Sequence, residues 1–225
     1  EKSGAGMLDC KKALTDADGD MEKAAELLRE RGIAKAIKKE SRIAAEGAVG
    51  AYVCKKCGTG VLLEINCESD FVSGGDKFHT LVDEVAKTIA ANKPKDIDAL
   101  LGCKIGKETV KDYITNATAV IGEKIAIRRF EIYETKGKIE TYLHMGGKIG
   151  VMVEVADFKA GSETVLHDVA LQIAACKPEY IAPADVPASV LEKEKEIMLV
   201  QMQNDEKNKN KPKEVLEKIV MGKMG

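Results

Sequence analysis

Apolar residues recur along this chain in two rhythms, and the switch between them marks out its parts. Residues 3–40 carry them at helical spacing. Met7-Leu8, Cys10 and Ala13-Leu14 begin one helix, and Asp16 to Asp20 forms a turn whose Asp20 can cap the next. Met21, Ala24-Ala25 and Leu27-Leu28 continue the period until Gly32, where the helix is expected to stop. A third short helix is expected from Ile33 to Lys39, with Lys35, Lys38 and Lys39 on its polar face. Three helices in so short a stretch bury little, so the apolar surface of this bundle is expected to double as a docking face. Ser41 to Glu46 reads as a linker.

Strand rhythm takes over next. Ala48 to Val53 and Gly60 to Ile65 read as a hairpin, the run Val61-Leu62-Leu63-Glu64-Ile65 being apolar enough for a buried strand. Asp76 is expected to cap a helix that places Phe78, Leu81-Val82, Val85 and Ile89 on one face and ends at Pro94. A short helix over Asp96 to Leu101 and a longer one over Glu108 to Ile121 precede a strand from Lys124 to Glu134. Lys136-Gly137-Lys138 turns into a strand over Ile139 to His144, and Gly146-Gly147 turns into another. Pro183 and Pro187 mark a boundary. Beyond them, Ser189 to Asn204 and Lys213 to Met224 read as two helices joined by the polar run Asp205 to Lys211.

The strand and helix of this core occur twice. Gly60-Val61-Leu62-Leu63-Glu64-Ile65 is echoed by Gly150-Val151-Met152-Val153-Glu154-Val155, and the helix end Val85 to Pro94 by Val169 to Pro178. The strands are offset by 90 residues and the helices by 84, which leaves six more residues in the first copy. Those six are expected in the loop Asn66-Cys67-Glu68-Ser69-Asp70-Phe71-Val72, before the turn Ser73-Gly74-Gly75. That loop carries an acid beside an aromatic with no evident core to enter. Either Phe71 folds back onto its own domain, or something outside receives it. A loop on a duplicated scaffold is free to vary without cost to the fold, which makes this one the candidate functional element.

Composition narrows the function classes. The 225 residues include 35 basic and 37 acidic ones, a formal charge of −2, without the basic excess of a nucleic-acid binder. Aromatic residues make up 4% and Trp is absent, so base-stacking platforms are scarce. No apolar run is long enough to span a membrane. The six cysteines lack a disulfide-framework spacing and fit a reducing compartment. Cys54-Lys55-Lys56-Cys57 has two readings. It is half of a zinc site lacking two ligands, which only folding would supply from Cys67 and His79, or it is a hairpin turn over Lys55 to Thr59 with small half-buried cysteines. His79, His144 and His167 have no nucleophile or orienting acid nearby in an established pattern, and Gly146-Gly147-Lys148 lacks phosphate-loop spacing. His144, at a strand end, reads as a surface hydrogen-bonding residue. These features point to a binding protein rather than an enzyme, with no cofactor and no metal site.

Several stretches are more specific. Ser3 to Leu14, Ala44-Ala45-Glu46-Gly47, the Asn66 to Val72 loop, Ile121-Gly122-Glu123-Lys124-Ile125 and Lys177-Pro178-Glu179-Tyr180-Ile181 together resemble the elongation factor Ts family, in order along the chain from residue 3 to 224. The resemblance implies an α+β fold with an N-terminal three-helix bundle of ubiquitin-associated type, a duplicated α/β core with antiparallel sheets and a projecting helical-hairpin arm. The domains would be residues 1–41 for the bundle, 46–135 and 136–182 for the core halves, and 183–225 for the arm. It also implies a partner, the GTPase elongation factor Tu, from which such a factor releases GDP. Asp70 and Phe71, with Val72, match the family's Asp-Phe loop that enters the GTPase beside its Mg²⁺. Met7, Leu8 and Lys11, Ile121-Gly122 and His144 match further partner contacts.

Ser69 stands where many members have Thr, and the Cys54/Cys57 pair has no counterpart in the pattern. The chain begins at Glu1 rather than Met and stops at Gly225, where many members continue, so a truncated C-terminal end is expected. The expected setting is a bacterial cytoplasm, or an organelle matrix after loss of a transit peptide. Expected assemblies are a homodimer or a 1:1 or 2:2 complex with the GTPase, without membrane or direct nucleic-acid contact. The alternative functions are an adaptor that binds through the small bundle alone and a zinc-knuckle RNA binder, which would show steep salt dependence.

Overall fold

In the computed structural model, residues 5–205, 208 and 212–224 are described. Ser3 and Gly4 of the N-terminal signature, most of the polar run after Asp205, and Gly225 lie outside the described residues. The chain separates into two units, residues 1–176 and 177–225.

The first unit begins with α1 (Met7–Asp16) and α2 (Met21–Lys39). Asp20 caps α2 as expected, its carboxylate accepting from the N–H groups of Glu22 and Lys23. The expectation of a stop at Gly32 and a third helix fails, because α2 runs unbroken from Met21 to Lys39. Gly32 is there for another reason. A Cβ at this position would lie 3.0 Å from the Cβ of Ala119, so the glycine lets α2 lie close against a helix of the core. Among the described residues the N-terminal region thus holds two helices, joined through Ala13, Ala17 and Ala24 with Leu14, Leu27 and Leu28.

The core follows as β1 (Glu46–Cys54), β2 (Thr59–Cys67), a single helical turn α3 (Asp70–Ser73) and α4 (Asp76–Asn92). Next come α5 (Ile97–Gly102), the two-residue strands β3 (Lys104–Ile105) and β4 (Glu108–Thr109), α6 (Val110–Ile121) and β5 (Ala126–Glu134). The second copy is β6 (Lys138–His144), β7 (Ile149–Val155) and α7 (Glu163–Cys176). β1, β2 and β5 form one antiparallel sheet with β2 in the middle, and β6 pairs with β7 in another.

Strand alternation assigns the two faces of the first sheet. Val61, Leu63, Ile65 and Cys67 are fully buried against α4, whose Phe78, Leu81, Val82, Val85, Ala86 and Ile89 meet them. Each large side chain removed from water here contributes about 1.5–3 kcal/mol. Gly50 of β1 admits the helix, since a Cβ there would fall 2.2 Å from Val82 Cγ1. The opposite face takes the second hairpin through two glycines at equivalent positions of the repeat. A Cβ at Gly60 would strike Ile139 and Met152, and one at Gly150 would strike Val49. α7 covers the far side of β6 and β7 through Ala170, Ala174 and Ile173. The four layers are therefore helix, sheet, sheet, helix.

The repeat is visible in detail. Both helices of the two copies end on a Lys before Pro in the left-handed region, Lys93 and Lys177, each with φ 48°. The six additional residues of the first copy do not sit in one loop as expected. β2 runs two residues past the position matching the end of β7, the connection to the helix is one residue longer, and α4 exceeds α7 by three. A second small departure concerns α4, whose N-cap is Gly75, with Asp76 in the first turn acting on the helix dipole instead.

In the second unit, a short 3-10 turn at Pro183–Asp185 precedes α8 (Ala188–Asn204) and α9 (Lys213–Met224). The two helices pack on each other, and Leu216 and Val220 of α9 are buried, as the amphipathic pattern predicts. No helix among the described residues is long and apolar enough to cross a membrane.

Gly50→Ala forces a methyl group into Val82 and should destabilise the protein by about 1–3 kcal/mol. Gly102→Ala, with open space around it, should stay within about 0.5 kcal/mol of the parent. Urea unfolding of both variants measures the difference, and equal midpoints would contradict the packing described.

Candidate functional site

β2 delivers the chain to the candidate loop with its last residue, Cys67, fully buried. The thiol donates to the carbonyl of Ser69 at 3.1 Å, and burial pushes its pKa up, so it is a packing group rather than a nucleophile. Ser69 takes extended backbone angles and caps α3, its hydroxyl accepting from the N–H of Val72. Ser73 is buried and its hydroxyl donates to the carbonyl of Asp70 at 3.1 Å. Val72 packs against the main core. Residues 67, 72 and 73 thus face inward, and the same turn directs Phe71 outward. Its side chain is 91% exposed. Of the two readings of Phe71, folding back onto its own domain is excluded.

Asp70 is exposed and borders a groove of about 570 Å³ that also takes in Glu46, Asn66, Arg129, Gly147 and Lys148. The turn that follows His144 therefore lies on the same groove as Asp70. His144 itself is exposed at the end of β6, its Nδ1 2.8 Å from the hydroxyl of Tyr142.

On the other side, the loop is bound to the connection between α6 and β5. Ile121 ends α6, and Gly122 follows in the left-handed region with φ 89°. Glu123 then reaches the loop, accepting from the N–H of Ser69 at 2.9 Å and from its hydroxyl at 2.6 Å. Glu68 reaches back to accept from the N–H of Lys124 at 2.6 Å. That bond, and after it Arg42, hold the Glu68 carboxyl below the usual carboxylate range. Lys39 at the end of α2 donates to the carbonyl of Gly122. The residues next to Asp70-Phe71 and Ile121-Gly122 are accordingly joined, Ser69 to Glu123 and Glu68 to Lys124.

Met7 and Leu8 are 88% and 83% exposed at the start of α1, with Lys11 exposed one turn on. Their connection to the loop is indirect, through α2 and its Lys39. Glu68, Glu123, Lys124 and Arg42 were given no role by sequence reasoning, although Glu68, Glu123 and Lys124 stand inside stretches that carry the family resemblance. The signal available was a carboxylate directly after a glycine that ends a helix, a place where backbone donors of a neighbouring loop are within reach.

The β1–β2 hairpin turns at residues 55–58, as the hairpin reading of the Cys54/Cys57 pair expects, although Cys57 is exposed rather than half-buried. The two sulfurs are bonded to each other across the β1–β2 turn, with Cα atoms 5.6 Å apart. Neither thiol is left to ligate zinc, and no group of three or more metal-ligating side chains occurs among the described residues. The equivalent β6–β7 turn closes differently, with positive φ at Met145, Gly146 and Gly147.

A family model described as Elongation factor TS matches residues 68–225. Among curated relatives, Elongation factor Ts of Clostridium perfringens (strain SM101 / Type A) is 44% identical over 229 residues, covering 100% of this chain and 74% of the relative. Elongation factor Ts of Alkalilimnicola ehrlichii is 43% identical over 225 residues, with 100% and 74% coverage. That of Halothermothrix orenii is 43% identical over 227 residues, with 99% and 75% coverage.

Because the Glu68 carboxyl titrates below its unfolded value, its contribution to stability is present above about pH 4.3 and is lost as the pH falls through the lower folded value. The stability difference between the parent and Glu68→Gln should therefore be constant from pH 7 to about pH 5 and shrink in more acid solution. Denaturant unfolding across that range measures it. A difference that grows on acidification would reverse the sign.

Proposed function

The chain belongs to the elongation factor Ts family, and on that premise we propose that it is a translation elongation factor that binds the GTPase elongation factor Tu and promotes release of its GDP. It makes and breaks no bond and needs no cofactor of its own. The observation that carries the mechanism is the exposure of Phe71, 91%, on a turn whose neighbours are buried or capped. An aromatic ring held in water this way is ready to enter a partner without prior rearrangement.

In this reading Asp70 and Phe71, followed by Val72, enter beside the Mg²⁺ and phosphate site of the GTPase. Mg²⁺ bridges nucleotide to protein, so displacing the groups that hold it loosens the nucleotide. Burial of one Phe contributes about 1.5–3 kcal/mol, which is roughly ten- to a hundredfold in affinity. That is too little to open a tight nucleotide site alone. A wider interface must hold the ring in place, and we assign to it Met7, Leu8 and Lys11, Ile121-Gly122, and His144. Residues 1–41 then act as a docking module, 46–135 and 136–182 as the two halves of the core, and 183–225 as an arm. The coupling is reciprocal: whatever factor the protein takes from nucleotide affinity, nucleotide takes from the protein's own affinity. Arrival of GTP therefore expels the factor. The bacterial relatives support a bacterial cytosol as the setting.

The test is release of a fluorescent GDP from elongation factor Tu. The parent should accelerate release strongly, and Phe71→Ala should reduce the effect about tenfold or more. The exposed ring leaves folding within about 0.5 kcal/mol of the parent, so lost activity is not lost structure. Acceleration untouched by the substitution would remove the wedge and leave exchange to the wider interface. A folded parent that binds through Met7 and Leu8 yet releases no GDP would be an adaptor, and the exchange reading would fall.

A further inference from the structure

Two carboxylates trade partners between the exposed turn and the α6–β5 connection. Glu123 contributes Oε2 to the N–H groups of Glu68 and Ser69, at 3.1 and 2.9 Å, and Oε1 to the hydroxyl of Ser69, at 2.6 Å. Glu68 returns Oε1 to the N–H of Lys124. The linker after α2 closes the set. Arg42 lies 3.2 Å from Glu68, and Lys124 Nζ donates to the carbonyls of Glu40 and Arg42 at 2.6 and 2.9 Å.

The hydroxyl of Ser69 is the hinge of this arrangement. Its one O–H donates to the Glu123 carboxylate. The lone pair left on the other side accepts from the N–H of Val72 and starts the turn that carries Phe71. A charged acceptor outcompetes water for that proton, so the hydroxyl keeps one rotamer and the turn one orientation. Glu123 touches neither the ring nor Asp70. It acts on them through Ser69.

We propose that Glu123 is the positioning residue of nucleotide exchange, holding the Asp70–Phe71 turn at the angle from which it enters the GTPase. The proposal rests on the reading of Phe71 as the wedge. Its physical basis is that the network is only half-buried, whereas the fold is held by the fully buried face of β2. With Glu123 removed, water can satisfy the freed N–H groups and hydroxyl, so the molecule keeps its fold and the turn loses its fixed direction. An entering group that is misplaced slows the step it performs far more than it weakens binding.

The experiment is a double-mutant cycle on GDP release from elongation factor Tu, with Glu123→Ala placed in the parent and in Phe71→Ala. In the parent, Glu123→Ala should lower the maximal release rate at saturating factor about tenfold while leaving the half-saturating concentration within about threefold. In the Phe71→Ala background the same change should cost less than about twofold, because the ring it positions is already gone. Equal costs in the two backgrounds, or no cost in the parent, would overturn the proposal. If Glu123→Ala does not fold, Glu123→Gln and Ser69→Ala run the same cycle. Glu123→Gln keeps an acceptor for the two N–H groups and loses the charge that orients the hydroxyl, so it should fall between parent and alanine. Coupling with Phe71 supports the assignment and additivity overturns it. A parent that releases no GDP removes the exchange reading and this inference together, whereas additive costs remove only the inference.

Discussion

An aromatic ring can be held in water only if the backbone beneath it has no freedom to fold the ring away, and that constraint organises the region from Cys67 to Ser73. Cys67 is locked in the core, Ser73 is buried on the next turn, and Val72 packs inward between them. With three neighbours committed to the interior, Phe71 has one direction left. The core of β2 and α4 supplies the rigidity, and the capped turn of α3 converts it into the orientation of a single side chain. Stability and function are linked through that conversion. The buried face of β2 is what a folded domain requires, and the exposed ring is the surplus that it supports.

The duplicated architecture shows how such a surplus arises without endangering the fold. Each copy brings a hairpin and a helix, and the two hairpins meet through Gly60 and Gly150, at matching positions. Neither glycine tolerates a side chain, because each lies against an apolar group of the opposite copy. The shared scaffold is thus constrained on its inner faces. Differences collect at strand and helix ends: a longer β2 and α4 in the first copy, and two hairpin turns closed by different means, a disulfide in one and left-handed glycines in the other. The two residues that extend β2 carry the chain to Cys67, the anchor from which the exposed turn departs.

Much of this was legible from the residues. Period-2 and period-3.6 patterns marked both hairpins and the helices later observed at α4, α6, α8 and α9, and Asp20 stood where a cap was needed. Three of the failures share a physical cause, which is that they depend on contacts distant in sequence. Gly32 reads as a stop by propensity, yet its role is set by Ala119, a neighbour that no local window contains. The outward direction of Phe71 follows from which of its neighbours enter the core, and that was undecided between two readings. Glu123 offered the least local signal. Its partners lie 54 and 55 residues away, and its one local signal was its place directly after the glycine that ends α6.

Exchange chemistry asks for two properties that oppose each other. On the proposed mechanism the factor must bind tightly enough to insert a group worth only a modest free energy, and it must leave when nucleotide returns. A single large apolar patch would meet the first need and fail the second. A dispersed set of contacts meets both when its most disruptive element is rigid and its others are individually weak. Rigidity concentrates the available binding energy at the nucleotide site, because none of it is spent on ordering the turn during entry. The hydrogen bonds of Glu123 and Glu68 supply that order in advance, from within the chain itself. On the proposed mechanism release is entry in reverse, since withdrawing the turn would leave the network that shapes it intact.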